Sequence, residues 1–129
     1  MSNIPENLRY SKDHEWVLVE GSTATIGITD YAQHSLGDVV YVDLPRIGDK
    51  FASGAAFGSV ESVKAVSEIF TPVTGNVSAV NDQINDTPEA VNKDAYGAGW
   101  MVKITMDNSG EADALLSAAE YEEYLKASE

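Results

Sequence analysis

Apolar and polar positions alternate over short stretches through most of the chain. In residues 23–28, Thr25 and Gly27 alternate with Ala24, Ile26 and Ile28, the period-two pattern of a strand with one face inward. Residues 8–11 and 16–19 read as two earlier strands, the second ending at Glu20-Gly21-Ser22. Thr29 is placed to cap a short helix running through Leu36, and Gly37 sits where helices commonly stop. Residues 39–42 form the next strand, and Pro45 blocks its continuation. Small residues at 52–56 then lead into residues 58–70. Here Val60, Ile69 and Phe70 suit a half-buried pleated surface, and the charged and hydroxyl residues between them suit its wet face, which predicts strand, bend, strand. Residues 75–80 are another strand, residues 81–92 a loop with one helical turn, and residues 100–104 a last strand with Trp100, Val102 and Ile104 on one face. Ser117-Ala118-Ala119-Glu120 matches a capping box, so a final helix runs from Ala118 to about Lys126, with Tyr121, Tyr124 and Leu125 on its docking side. Many short strands with little helix before the end predict an all-β sandwich or small barrel.

Composition narrows the functional classes. A chain of 129 residues is one domain's worth, residues 1–129, and a hydrophobic fraction of 43% supports a real core. The net charge of −13 repels nucleic acid and anionic lipid and favours proteins with basic patches, so neither nucleic acid nor membrane is an expected partner. With no cysteine, any redox chemistry must be carried by an attached or bound group. Met1-Ser2-Asn3-Ile4-Pro5-Glu6 has the character of neither a signal nor a transit peptide, and no apolar run approaches membrane-spanning length, which leads to the expectation of a cytoplasmic protein.

Between Phe51 and Asn92 the only basic residue is Lys64, at the bend of the strand pair, among Glu61, Glu68, Asp82, Asp86 and Glu89. The bend is chemically odd. Two-residue hairpins favour Asn-Gly or Asp-Gly with positive φ, and Val63-Lys64 stands there instead, so a type I turn is the expectation. A broken local rule of this kind often marks function, although a lysine ending a strand is also an ordinary surface residue.

Glu61-Ser62-Val63-Lys64-Ala65, followed by Ser67-Glu68 and Pro72-Val73-Thr74-Gly75, resembles the lipoyl-lysine hairpin of the glycine cleavage system H protein family. His14-Glu15-Trp16, Ile26-Gly27-Ile28-Thr29, Leu36-Gly37-Asp38, Val42-Asp43-Leu44-Pro45, Asn81-Asp82, Pro88-Glu89, Tyr96 and Gly99-Trp100 are similar to further family landmarks in family order, so the resemblance covers nearly the whole chain. It implies a flattened β-barrel or sandwich of the lipoyl-domain (barrel-sandwich hybrid) type, with short added helices and a C-terminal helix. It also implies a non-catalytic carrier with lipoate covalently attached to Lys64, in the motif of Glu61, Ser62, Val63 and Ala65. The implied partners are a pyridoxal-phosphate-dependent glycine decarboxylase that loads an aminomethyl group, a tetrahydrofolate-dependent aminomethyltransferase that takes it, dihydrolipoyl dehydrogenase that restores the disulfide, and a lipoylating enzyme. A monomer is the simplest state for such a shuttle.

Water would hydrolyse the loaded amine, so a shielding groove with a carboxylate is expected, Glu15 being the first candidate and Glu68 the second. Both are also readable as ordinary surface acids, Glu68 more so than Glu15. Glu61 suits recognition by the modifying enzyme or, alternatively, a solvated strand position. Asp43 is given no role. His14 and His34 lack metal-ligand spacing, and the histidine that some family members carry in this helix aligns with Ser35, leaving His34 as an exposed residue. Gly97-Ala98-Gly99 precedes a strand and reads as a tight turn and not a phosphate cradle. Biotin is disfavoured because Val63 and Ala65 stand where methionines usually flank a biotinyl lysine. An unmodified interaction or regulatory module on the same fold is the alternative.

Overall fold

The computed structural model describes residues 4–128. Met1-Ser2-Asn3, part of the segment read for leader character, and Glu129 lie outside the described residues.

Nine strands form two antiparallel sheets. One has the order β1-β2-β3-β9-β8-β5, built from β1 (Arg9–Tyr10), β2 (Glu15–Glu20), β3 (Thr23–Ile28), β9 (Val102–Met106), β8 (Gly75–Val80) and β5 (Lys50–Phe51). The other has the order β4-β6-β7, from β4 (Val39–Asp43), β6 (Ala56–Ser62) and β7 (Val66–Phe70). No ladder joins the sheets, so the sandwich form of the expected architecture is the one realised. Its core is the period-two pattern made solid: Ile26, Val77, Val102 and Ile104 from the larger sheet pack with Val42, Val60 and Ile69 from the smaller. Each such buried side chain contributes about 1.5–3 kcal/mol relative to exposure.

The helices cover the sandwich. In α1 (Asp30–Leu36) the Thr29 hydroxyl accepts the Ala32 N–H at 3.2 Å, and Gly37 ends the helix with φ 81°, a value that favours glycine. In α4 (Ala118–Ser128) the capping box forms reciprocally: Ser117 N–H donates to Glu120 Oε1 at 2.8 Å, and Glu120 N–H donates to Ser117 Oγ at 3.2 Å. The expected face docks, with Tyr121 and Leu125 joining Leu8, Tyr10 and Trp16 in a second core where the Tyr10 and Tyr121 rings stack at 4.7 Å.

Three expectations are corrected. The last strand begins at Val102, because residues 97–100 close a turn in which Trp100 N–H donates to Gly97 O, leaving Met106, not Trp100, on the inward face with Val102 and Ile104. β3 is buried on both faces, since the Trp16 indole covers Gly27 so closely that a Cβ there would lie 2.7 Å from its Nε1. Residues 81–92 hold two helical turns, a 3-10 turn Asp82–Asn85 and α2 (Ala90–Lys93). β5 and α3 (Gly110–Asp113) are too short to show a period. No helix among the described residues is long and apolar enough to cross a membrane.

Candidate functional site

The β6–β7 hairpin pairs Glu61 with Val66, which puts Val63 and Lys64 at its tip. Among the described residues only His14 has positive φ outside glycine, so the tip avoids the primed turns, as a valine requires. Ser62 makes this possible. Its Oγ accepts the Lys64 N–H at 3.2 Å and the Ala65 N–H at 3.1 Å and donates to Ala65 O at 3.2 Å, while its own N–H donates to Ala65 O at 2.8 Å. The hydroxyl replaces the backbone acceptor that an Asn-Gly turn would supply. A serine at the first position of a type I turn was the available signal for this role.

The tip is tied to the helix beneath it. Val63 N–H donates to Asp38 O at 3.0 Å, and the Lys64 stem lies over Gly37, where an added Cβ would come within 3.0 Å of Lys64 Cε. Asn92 pins the same junction. Its Nδ2 donates to Gly37 O and Gln33 Oε1, both at 2.9 Å, and its Oδ1 accepts the Val39 N–H at 2.9 Å. Nothing in the sequence pattern marks Asn92, because its partners are remote in the chain. Lys64 itself is exposed and forms no ion pair among the described residues.

Around the lysine the surface is apolar and acidic together. Val63 is 69% and Val66 67% exposed. Tyr41, Glu61 and Val66 stand opposite one another across β4, β6 and β7, so they share the sheet's outer face, with Asp43, Ser59 and Glu68 forming the next such row. Glu61 is exposed, in keeping with either of its readings.

A groove of about 300 Å³ runs between α1 and β7 to the start of β2. Ile28, Ala32, Leu36, Val60 and Ile69 give it apolar walls, and it brings together Asp13, Glu15 and Glu68. Glu15 is not a surface acid: it is only 2% exposed. Ser11 Oγ donates to its Oε1 at 2.5 Å and Phe70 N–H to its Oε2 at 3.2 Å, so the carboxylate clips β2 to the end of β7. Burial pushes its carboxyl up to about 7 against the pull of those two hydrogen bonds. Glu68 is exposed at the groove's edge.

His14 also lines the groove, with φ 68° and its ring among Tyr31, Tyr121 and Tyr124 at centroid distances of 4.7, 5.8 and 5.9 Å. Burial lowers its pKa. His34 is exposed on α1. In the glycine-rich turn, Ala98 N–H donates to Asp94 Oδ2 at 2.9 Å, so a carboxylate occupies the place a phosphate would need. No group of three or more His, Cys, Asp or Glu among the described residues could hold a metal ion.

The family model described as glycine cleavage H-protein matches residues 8–128. The chain is 49% identical to the glycine cleavage system H protein of Carboxydothermus hydrogenoformans over 126 residues, covering 98% of this chain and 97% of that one. It is 52% identical to the protein of the same name from Acidobacterium capsulatum over 122 residues, covering 95% and 94%. The crystal structure of a glycine cleavage system H protein from Mycobacterium marinum superposes with a TM-score of 0.84 at 34% identity, covering 97% of this chain and 98% of that one. With the whole fold and nearly all of its length matched, the chain belongs to the glycine cleavage H-protein family, whose place in that system is that of a carrier and not of a catalyst.

Proposed function

We propose that residues 1–129 form a single lipoyl-bearing domain, that lipoate is attached through an amide to Lys64, and that the arm shuttles between three enzymes in the cytoplasm. It takes an aminomethyl group from glycine decarboxylase, delivers it to the aminomethyltransferase, and is reoxidised at dihydrolipoyl dehydrogenase. The lipoyl group supplies a disulfide able to take up a carbon fragment together with two electrons. The chain's own residues supply the rest. Family membership supports the carrier role, and one geometric observation carries the residue assignment: Lys64 stands exposed on a pinned hairpin beside a groove with apolar walls and a buried carboxylate.

The apolar walls suit the arm's hydrocarbon, and Glu15, with Glu68 at the edge, suits an ammonium at its end. An ammonium brought to Glu15 stabilises its ionised form, so docking of the cargo drives a proton off a carboxyl that otherwise holds it up to about pH 7. Water exclusion by the groove protects the cargo in transit. Val63, Val66 and Tyr41 offer a partner apolar surface to bury around the lysine, and Glu61 suits recognition by the lipoylating enzyme.

The test is the intact mass of the chain after reaction with a lipoylating enzyme and lipoate, with peptide mapping across residues 61–68. One lipoyl mass on Lys64 is expected, and Lys64→Arg should fold normally yet show no modification and no glycine cleavage with reconstituted partners. An unmodified Lys64, beside a control domain modified in the same tube, would instead make this chain an unlipoylated interaction module.

A further inference from the structure

Behind the groove wall lies a hydrogen-bonded chain for which the carrier reading has no use. Thr29 Oγ1 lies 2.8 Å from Tyr121 Oη, which lies 2.8 Å from His14 Nδ1. Thr29 and Tyr121 are both 0% exposed, so bulk water offers no alternative partner. The protons along this chain can be counted. Thr29 Oγ1 already accepts the Ala32 N–H as the cap of α1, and among the described residues the only acceptor in reach of its own proton is Tyr121 Oη. A tyrosine oxygen that accepts from Thr29 turns its single proton toward His14 Nδ1. The opposite polarity would bury the Thr29 proton without an acceptor, at a cost of about 1–3 kcal/mol.

We propose that the Thr29–Tyr121 chain holds His14 as a neutral imidazole protonated on Nε2, so that the ring lining the groove adds no positive charge opposite Glu15 and Glu68. Thr29 and Tyr121 are thus positioning residues that act through His14. Tyr31 from α1 and Tyr121 and Tyr124 from α4 face the ring with their phenols, and the adjacent Asp13 carboxylate pulls toward a charged ring, a pull that burial of the ring opposes and outweighs. The left-handed backbone of His14 is held in place by Thr29 N–H donating to His14 O at 3.0 Å and by His14 N–H donating to Ser11 O at 3.1 Å, which is how an unfavourable φ persists at a functional wall. The outcome is a groove in which cationic cargo meets carboxylates only. That last step rests on the carrier reading, whereas the tautomer does not.

The experiment is a nitrogen-correlated NMR spectrum of the histidine rings in the unmodified full-length chain at neutral pH. His14 should show an unprotonated Nδ1 and a proton-bearing Nε2. A proton on Nδ1, or a charged ring, would overturn the proposal. Tyr121→Phe keeps the ring that stacks on Tyr10 and removes only the hydroxyl, so His14 should lose its single tautomer and sample both. A wild-type pattern in that variant would overturn the relay. Thr29→Ser, which keeps the hydroxyl, should keep the locked pattern, and should Tyr121→Phe fail to fold, the wild-type spectrum decides alone. A locked tautomer in a chain that is lipoylated yet does not shuttle would sink the carrier reading and leave this proposal standing. A protonated Nδ1 in a working shuttle would do the reverse.

Discussion

Glu15 concentrates the pH behaviour of the folded chain. Its carboxyl is raised from 4.5 to about 7 by burial, so the unfolded chain releases this proton first. Below 4.5 both states hold the proton; as pH rises from 4.5 toward 7 only the unfolded state loses it, and stability falls across that window before levelling off. The cost above the window is on the order of 3 kcal/mol. Glu15→Gln should flatten this part of the profile, which urea midpoints at pH 5 and pH 8 would reveal as a variant relatively more stable at pH 8. In the loaded carrier, under the proposed role of Glu15 as the ammonium's partner, release of the aminomethyl group to water should accelerate several-fold in the same variant while lipoylation proceeds. An unchanged release rate would assign Glu15 to the clip between β2 and β7 alone.

The hairpin and its footing govern how Lys64 is presented. Ser62→Ala removes one hydroxyl that makes three hydrogen bonds in the turn, so we expect a loss of about 1 kcal/mol, faster amide exchange at Lys64 and Ala65, and slower lipoylation. Faster exchange is the more diagnostic reading, because the turn's chemistry would not otherwise hold Val63 and Lys64 in place. Asn92→Ala leaves Val39 N–H and Gly37 O without their partner beneath the lysine, at a cost of about 1–3 kcal/mol. Thermal unfolding checks the magnitude. A drop in lipoylation rate larger than that of an equally destabilising core variant would show that the α1–β4 junction positions the lysine.

At the scale of the whole molecule, a charge of −13 makes encounter with partners an electrostatic process. Affinity for the three proposed partner enzymes should therefore weaken as salt rises from about 0.05 to about 0.5 M, mostly through slower association, measurable by surface-immobilised binding. Salt-independent association would transfer the weight of recognition to Tyr41, Val63 and Val66. Those three are exposed beside the lysine although their side chains are ones the core would accept, which is what a surface buried only during partner visits requires.

The positions of the strands along the chain except β5, the two helices with recognisable caps and the hairpin carrying Lys64 were legible in the sequence, because period-two alternation, Thr29, Gly37 and the Ser117–Glu120 box are local signals that need no remote partner. Lys64 stood out by isolation and by its neighbours from Glu61 to Ala65. The burial of Glu15 was not legible. A carboxylate's environment depends on what folds over it, and here Ser11 lies four residues away while Phe70 arrives from another strand. The same reason hides Asn92 and the chain from Thr29 through Tyr121 to His14, whose members lie in separate elements. The sequence by itself therefore determined most of the elements and singled out Lys64 as the proposed attachment point, because the signals for both are local. Only the tertiary structure decided which carboxylate is buried, which hydroxyls reach His14 and what holds the lysine in place, because desolvation and hydrogen bonding between distant residues exist only once the sheets and helices have closed on one another.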